Sequence, residues 1–389
     1  MNILIVTAMF PPIRTGTSFY SLNLADAFSK AGHKVTVVTL ENRDFRGEKL
    51  PYKVHRLRAL HFPIKNFFKH FRISSIFPDN YRKILAVAKK EKSEVILLVN
   101  HYLDIAFPAI YAARQNHIPL VISVGTQLQS LNPTRNKLLN FFDRLICGGL
   151  IFPFSQKIIA WDKEIARYLR EIQGKKILKK TVIINYGPNG KKEDFRSFKH
   201  DYKEIGQILG VGAVIEQRNF QFTIRVFKKL LDYFPDLQLK IIGHVYFKPT
   251  IELVKKLGLK DKITFTGELP HDRVLAELKK STLYWGTLTG EYVGLGVANL
   301  EAMLMGVPLI SNAPENLLGK PRLKDMENYI FSDGVTTAEI IPKLVKILKD
   351  EQIRRRIGQN GRHFVQKYLN WDLAAKEMVV LFEEAKNIL

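Results

Sequence analysis

The segment Val293-Gly-Leu-Gly-Val-Ala-Asn-Leu-Glu301-Ala-Met-Leu-Met-Gly306-Val-Pro308-Leu-Ile310 decides the predicted fold. A glycine-rich loop leads into a helical pattern and then into a short apolar run, which predicts a loop, a helix and a buried strand. The free N–H groups and the positive dipole end of such a helix suit a diphosphate, and a carboxylate one turn further can accept hydrogen bonds from ribose hydroxyls. The candidate ligand-binding residues here are Gly294, Leu295, Gly296, Val297 and Glu301.

Short apolar runs alternate with helical patterns along the whole chain. Continuous apolar strands separated by helices predict parallel sheets that are covered on both faces. The chain of 389 residues is long enough for two such domains, so we expect an α/β protein with two doubly wound Rossmann-like domains and an interdomain cleft. The predicted strands are residues 3–6, 35–38, 95–99, 120–124, 157–160 and 182–185, followed by 208–212, 238–243, 262–267, 282–285 and 308–311.

A stretch rich in glycine, proline and charge separates the two series of strands. It predicts a linker at residues 191–203, between a first domain at 1–190 and a second at 204–366. The first domain opens with a strand, a Pro/Gly turn and a helix from about Ser18 to Ala31.

Charge is unevenly distributed. The 60 Lys and Arg residues outnumber the 37 Asp and Glu residues, and a net charge of +23 attracts polyanions or anionic lipid surfaces. Residues 61–93 contain eight Lys and Arg residues and only two acids, and within them residues 61–72 interleave cations with phenylalanines, a composition typical of an interfacial amphipathic helix. We expect this stretch to contact an anionic membrane surface; the alternative is a core-packing helix with a solvated basic face. The predicted membrane or acceptor contacts are Lys65, Phe67, Phe68, Lys69, Phe71 and Arg72.

Cysteine content and hydropathy indicate the compartment. The single cysteine, Cys147, cannot form an internal disulfide and fits a reducing environment. The longest apolar stretch, residues 145–154, is shorter than the roughly 20 residues that span a bilayer. The apolar start lacks a basic flank and predicts a strand, not a signal peptide. We therefore expect a cytoplasmic protein, peripheral at the inner face of the cytoplasmic membrane.

Several motifs occur in the order of a known family. Together they resemble the retaining glycosyltransferases of the GT-B fold, group 1 and family 4-like, which include many bacterial cell-surface polysaccharide and lipopolysaccharide enzymes. The resemblance covers nearly the whole chain and implies that a final helix at 367–389, with Trp371, crosses back to the first domain. The matching motifs are Pro11-Pro12, Gly16, Leu24-Ala25, Gly32-His33, Pro235-Asp236, Glu301-Ala-Met303 and Gly306-Val-Pro308.

The resemblance implies the reaction. It implies metal-independent transfer of a sugar, with retention, from a UDP- or GDP-sugar to a glycan or lipid-linked acceptor. The donor would be a substrate and no cofactor would be needed. By the same resemblance, Gly16 and Arg218 join the residues that bind the donor, while Gly267 and Leu269 contact its base.

Three positions depart from the family pattern. Ala213 stands where the family has a cation for the diphosphate, and Val293 stands where the family has its first motif glutamate. Gly125 and Thr126 occupy the place where many relatives have a histidine. Glu291 and His101 are the nearest groups that could substitute in catalysis, and they are the predicted catalytic residues.

Other functions remain open at this point. A catalytically degenerate relative that acts as a binding or scaffold protein would explain the departures, and related GT-B reactions such as inverting transfer fit the same strand pattern. Nucleic-acid binding is disfavoured because no recognised module is present. No Asp-x-Asp occurs, and no His, Cys, Asp and Glu residues have ligand spacing, so we expect no metal site.

Overall fold

Two parallel sheets, each with helices between successive strands, organise the chain, as the sequence predicted. The computed structural model describes residues 1–13, 15–42, 50–61, 72–102, 104–189, 195, 198–286, 288, 294–332 and 335–389. Contacts divide the chain into one unit of Met1–Tyr186 with Trp371–Leu389 and a second unit of Gly187–Asn370.

The first unit is built on a seven-stranded sheet. Its strands are β1 (Asn2–Thr7), β2 (Lys34–Leu40), β3 (Lys53–Leu57), β6 (Val95–Val99), β7 (Leu120–Val124), β8 (Lys157–Ala160) and β9 (Thr181–Ile183). They lie in the order β3-β2-β1-β6-β7-β8-β9, all parallel, while β4 (Leu60–His61) and β5 (Arg72–Ile73) form a separate antiparallel pair. Strands β6 and β7 are buried along their whole length, because helices cover both faces of the sheet.

Helices of several kinds surround this sheet. A π-helix is uncommon, and the one here continues directly from α4. The helices of the first unit are α1 (Gly16–Lys30), α2 (Pro78–Lys90), α3 (Ala106–Gln115), α4 (Pro133–Phe142), the π-helix Asp143–Ile151, the 3-10 helix Phe152–Phe154, α5 (Lys163–Gln173) and the 3-10 helix Lys175–Lys180.

The second unit has a six-stranded parallel sheet. Its strands are β10 (Gln207–Val211), β11 (Gln238–Ile242), β12 (Ile263–Gly267), β13 (Leu283–Trp285), β14 (Leu309–Ser311) and β15 (Ile330–Phe331), in the order β12-β11-β10-β13-β14-β15. This order reverses between β10 and β13, which makes that pair the topological switch point of the sheet. Its helices are the 3-10 helix Glu216–Arg218, α6 (Phe220–Leu230), α7 (Pro249–Lys256), α8 (His271–Lys279), α9 (Val297–Leu304), α10 (Thr337–Lys349) and α11 (Glu351–Tyr368).

The C-terminal helix, α12 (Trp371–Lys386), belongs to the first unit. Its Phe382 ring lies 5.7 Å from the ring of Phe28 in α1, and both side chains are buried. The unit boundaries therefore fall at Tyr186/Gly187 and at Asn370/Trp371. Among the described helices, none combines the length and the hydrophobicity that a membrane span requires.

Candidate functional site

The switch point of the second sheet gathers the carboxyl ends of β10 and β13. The Tyr284 hydroxyl of β13 donates to the Val211 carbonyl oxygen at the end of β10, at 3.5 Å. Open parallel sheets bind ligands outside the carboxyl ends of their strands at such a point. The tyrosine therefore marks the place where a ligand of this unit is expected.

Arg218 lies at this point. It ends the short 3-10 helix after β10, and its Nη1 donates to the Val211 carbonyl oxygen at 3.3 Å. A Cβ added to Gly212 would lie 2.4 Å from the guanidinium carbon, so only glycine leaves room for this cation. The Nε atom of Arg218 is buried without a hydrogen-bond partner. Burial lowers the pKa of Arg218, and the Tyr284 phenol opposes that shift.

Glycine backbone forms the floor beside Arg218. Gly243 has φ +145°, and a Cβ there would lie 2.2 Å from the Gly212 carbonyl oxygen. The Gly243 N–H donates to the Gly267 carbonyl oxygen at 2.8 Å, which joins the ends of β11 and β12. Leu269, two residues after β12, is half-buried in the connection to α8. A ligand can approach main-chain atoms closely along this edge.

Helix α9 points its amino terminus at the same edge. Gly296 is the N-cap and supplies no capping side chain, and the Asn299 N–H donates to the Gly296 carbonyl oxygen at 2.9 Å, so an anion would meet the first-turn N–H groups that precede Asn299. Asn299 donates from Nδ2 to the Gly286 carbonyl oxygen at 3.1 Å, which ties α9 to the end of β13. Leu295 is buried, whereas a Cβ added to Gly296 would meet no atom within 4 Å. The predicted loop-to-helix arrangement is thus present where it is described.

Glu301 is a buried carboxylate with two donors. It is 3% exposed, its Oε1 lies 2.9 Å from His271 Nε2, and the Asn189 N–H also donates to it. Burial raises the pKa of Glu301, while His271 and the Asn189 N–H oppose that rise. Both Arg218 and Glu301 perturb the pKa of the Tyr284 phenol, so that phenol lies near both charges. The cation, the carboxylate and the helix terminus therefore belong to one site.

Sequence reasoning missed His271, Asn189 and Tyr284. His271 directly follows the predicted base-contacting residues 267–270, and Asn189 lies beside the predicted linker. Their contacts with Glu301 join positions 30 and 112 residues away, which no local pattern reveals. A tyrosine at the carboxyl end of a predicted strand was the available signal for Tyr284.

Comparison with known proteins identifies the family of the chain. Residues 191–364 match the family model described as glycosyl transferases group 1, and residues 14–187 match the model described as glycosyltransferase family 4. The chain belongs to the group 1 glycosyltransferases. This confirms the family that the sequence motifs predicted, and its activity class is that of a glycosyltransferase, a transferase of the EC 2.4 type.

Three similar proteins place this glycosyltransferase among its relatives. An uncharacterized glycosyltransferase of Methanocaldococcus jannaschii is 27% identical over 65% of this chain and 64% of that protein. N-acetyl-alpha-D-glucosaminyl L-malate synthase of Bacillus anthracis is 23% identical over 90% of this chain and 89% of that protein. The crystal structure of Anabaena HepE in complex with UDP and glucose has a TM-score of 0.72 and 14% identity, and covers 98% and 99% of the two chains. The last likeness shows the shared fold.

In the first unit of this glycosyltransferase, Gly16 begins α1 and is exposed. A Cβ added there would meet no atom within 4 Å, so the position is open on its outer side. Thr15 is the N-cap, and its side chain accepts a hydrogen bond from the Ser18 N–H. The helix start is thus intact with a single glycine.

Trp161 explains why this glycosyltransferase has glycine at position 125. A Cβ on Gly125 would lie 2.1 Å from the Trp161 indole, which leaves no space for a larger side chain. The indole stacks on Tyr20 with centroids 4.0 Å apart and donates to Ser123 Oγ at 2.8 Å. A histidine of the family type cannot occupy this position without moving the tryptophan.

The structure corrects the catalytic role predicted for His101. Its side chain is fully buried, where it stacks on Phe152 with centroids 5.2 Å apart. Asn100 before it has φ +65°, which turns the chain at the end of β6. The imidazole therefore contributes to the packing of the first unit, and the structure does not support the predicted catalytic role.

The structure does not support the membrane role predicted for Arg72 either. Arg72 is 7% exposed, and its guanidinium donates to the carbonyl oxygens of Ala8 and Glu41 at 3.1 and 2.7 Å. Burial lowers its pKa to about 10, so it remains charged at neutral pH. The charged guanidinium therefore stabilises the fold through hydrogen bonds to main-chain carbonyl oxygens.

The other predicted membrane contacts and one catalytic candidate lie outside the described residues. These are Lys65, Phe67, Phe68, Lys69 and Phe71, together with Glu291. Leu288, the described residue that precedes Glu291 most closely in sequence, donates its N–H to Asn312 Oδ1 at 3.0 Å. The roles of these residues stay predictions.

Among the described residues, one group could hold a metal ion. His101, Asp143 and Cys147 are buried with their ligand atoms within 4.8 Å of one another, although they are not close in sequence as a set. Asp143 already accepts hydrogen bonds from Tyr168 and from Gln173. These hydrogen bonds stabilise the buried Asp143 carboxylate within a network of protein side chains.

Proposed function

We propose that this glycosyltransferase binds a nucleotide-sugar donor at the switch point of its second unit, with UDP as the nucleotide and GDP as the alternative. The diphosphate lies against the amino terminus of α9 and Arg218, the ribose hydroxyls donate to Glu301, and the base lies along Gly267 and Leu269. The observation that carries this proposal is that Arg218 and Tyr284 both donate to the Val211 carbonyl oxygen, while Asn299 of α9, the helix that carries Glu301, donates to the Gly286 carbonyl oxygen just after β13. The UDP complex of the similar Anabaena structure supports the choice of nucleotide.

We further propose transfer with retention and without a metal. The bond between the sugar C1 and the diphosphate breaks through an oxocarbenium-like state, and the acceptor hydroxyl attacks from the face of the leaving group. The departing phosphate takes the acceptor's proton, so no pair of carboxylates is needed at C1. Arg218 and the helix dipole stabilise the negative charge that develops on the leaving diphosphate.

The acceptor proposed is a glycan or lipid-linked glycan at the inner face of the cytoplasmic membrane, in cell-surface polysaccharide or glycolipid biosynthesis. The net charge of +23 supports an anionic surface as the place of work. The phenylalanine-rich stretch 61–72 supports it from sequence, except for its last residue, Arg72. Its test is vesicle binding by a Phe67→Ser/Phe68→Ser/Phe71→Ser variant, and unchanged binding argues against a role for this stretch.

A donor-hydrolysis assay tests the chemistry without knowledge of the acceptor. Purified protein is incubated with UDP-glucose, UDP-N-acetylglucosamine or GDP-mannose in the presence of EDTA, and nucleotide release is followed. Proton NMR identifies the anomer of the sugar that forms first. The proposal predicts that the protein slowly releases the nucleotide from one of these donors and that Glu301→Ala does not. The released sugar should first have the same anomeric configuration as in the donor. Release that requires an added divalent ion, or an inverted first product, contradicts the proposed mechanism.

A catalytically degenerate relative is the second candidate, and two observations favour it. Trp161 fills the space at Gly125, and Ala213 provides no second cation beside Arg218. This alternative predicts nucleotide binding without turnover of any donor. Binding and hydrolysis measured on one preparation separate the two candidates.

A further inference from the structure

An unusual surface of the first unit is formed by α4 and the π-helix that continues it. No side chain of α4 is buried. Of the seventeen large hydrophobic side chains that are most exposed among the described residues, seven fall within residues 131–150. We call these seven the apolar ridge. They are Leu131, Leu138, Phe141, Phe142, Leu145, Ile146 and Leu150, each between 37% and 59% exposed.

The ridge is fixed to the unit from its inner side. Asp143, Cys147 and Ile151 follow one another at four-residue spacing in the π-helix, and all three are buried. Arg144 Nε donates to the Ile172 carbonyl oxygen of α5 at 2.9 Å. Because these anchors hold one face of the helix, the apolar side chains of the opposite face cannot turn into the core. Exposed apolar patches of this kind mark interaction sites.

The exposed charge within the ridge segment, residues 131–154, has one sign. Residues 131–154 contain the cations Arg135, Lys137 and Arg144, all exposed, and one acid, the buried Asp143. The ridge therefore presents apolar side chains and positive charge without an exposed carboxylate of its own.

A lysine-rich segment extends this positive charge. The 3-10 helix Lys175–Lys180 follows α5, and hydrogen bonds from the residues on either side of its middle reach the π-helix and the segment just after it. Gln173 Nε2 donates to the Asp143 carbonyl oxygen at 3.3 Å, and Lys180 Nζ donates to the Ser155 carbonyl oxygen at 3.0 Å. Its exposed cations are Lys175, Lys176 and Lys179.

We infer that the apolar ridge docks on a lipid bilayer with anionic head groups. Protruding leucine and phenylalanine side chains with cations along their flank are the composition of an interfacial segment, in which the apolar side chains enter the acyl boundary and the cations meet lipid phosphates. A second copy of the chain is disfavoured as the partner, because a symmetric dimer through the ridge would bring the same cations of both copies close together, where they repel one another. The inference deepens the membrane part of the proposed function and moves it to a surface that the sequence did not indicate.

Vesicle sedimentation tests the inference on the full chain. The test variant is Leu138→Ser/Phe141→Ser/Leu145→Ser, and the matched control is Val380→Ser/Ile388→Ser/Leu389→Ser, which removes three side chains of similar exposure from the same unit. Vesicles of phosphatidylcholine with phosphatidylglycerol are compared with phosphatidylcholine alone. We expect the test variant to lose about 100-fold in partitioning, because roughly half of each removed side chain is available to the bilayer. We expect the control to bind like the parent.

A charge variant and a nucleotide control complete the experiment. Arg135→Gln/Lys137→Gln/Lys175→Gln/Lys176→Gln should lose at least about tenfold on anionic vesicles. Thermal stabilisation by UDP should be equal in the parent and in all the variants. Loss of vesicle binding with unchanged stabilisation by UDP then shows an effect on the ridge and not on the donor site or on folding. Absence of parent binding to anionic vesicles overturns the inference, as does unchanged binding of the test variant. A change from dimer to monomer in the test variant, with vesicle binding kept, shows a self-association surface and also overturns it.

Discussion

Removal of His271 should make nucleotide binding more sensitive to acid. His271 Nε2 lies 2.9 Å from Glu301 Oε1, and the Glu301 side chain is 4% exposed against 37% for His271. Burial raises the pKa of Glu301, and His271 opposes that rise. His271→Ala therefore raises the pKa further, and the carboxylate becomes protonated at a higher pH than in the parent. A protonated Glu301 accepts ribose hydroxyls less well, so the affinity for UDP falls earlier as the pH is lowered.

The size of the effect follows from the contact. A hydrogen bond to a charged group contributes about 1.5–3 kcal/mol, but His271 is more than a third exposed and water replaces part of it, which leaves about 1 kcal/mol. Over a range from about pH 5.5 to about pH 8, we expect the loss of UDP affinity to be largest, about fivefold, at the acid end and to shrink as the pH rises and less Glu301 is protonated.

Isothermal titration calorimetry with UDP across this pH range measures the effect. His271→Gln keeps an N–H donor at this position and should fall between the parent and His271→Ala. His363→Ala removes an exposed histidine from the same unit and serves as the control. Parallel curves of UDP affinity against pH for the parent and His271→Ala would refute the reasoning, because they would show that protonation of Glu301 does not control UDP binding.

Two further substitutions test the other parts of the site. Arg218→Gln should weaken UDP binding about 10- to 100-fold, because a charge-assisted hydrogen bond to phosphate is lost. The control variant Arg225→Gln, at an exposed position, should bind UDP as the parent does. Equal UDP affinities of Arg218→Gln and the parent in calorimetry would show that Arg218 is not part of the site. Gly243→Ala should destabilise the protein by about 2 to 3 kcal/mol, or about 5 to 10 °C in thermal unfolding, because its φ is +145° and a Cβ would meet the Gly212 carbonyl oxygen. Gly206→Ala, where a Cβ meets nothing within 4 Å, should change little, and a drop as large as that of Gly243→Ala would show that the contact is not the cause.

The parts of the fold that follow from local pattern were predictable. Strands β6, β7 and β8 have the predicted bounds, because each is a continuous apolar run that both faces of the sheet bury. Strand β3 was missed, because Lys53–Leu57 is a polar-rich edge strand and lacks such a run. The π-helix was missed as well, since its exposed face carries leucine and isoleucine while its buried face includes Asp143, so hydrophobicity does not distinguish the two faces.

The candidate site was predictable in its local motifs and not in its pairings. The glycine loop, Glu301 and Arg218 each follow from residue type and position beside a predicted strand or helix. The contact between Glu301 and His271 depends on how two helices pack, and composition does not encode it. Arg72 shows the converse error, because a count of charges assigns it to a surface while its hydrogen bonds to carbonyl oxygens place it inside the fold.

Thermal stabilisation of the purified protein by UDP, GDP, ADP and CMP tests the central claim most directly, with Glu301→Ala and Arg218→Gln as the matched variants. A nucleotide at about 100 times its dissociation constant adds roughly 2.7 kcal/mol, which corresponds to some 5 to 10 °C for a unit of this size. A nucleotide-sugar donor site at the switch point predicts such a shift with UDP or GDP, strongly reduced in both variants. No shift with any nucleotide in the folded protein, or a shift that both variants keep in full, would contradict it.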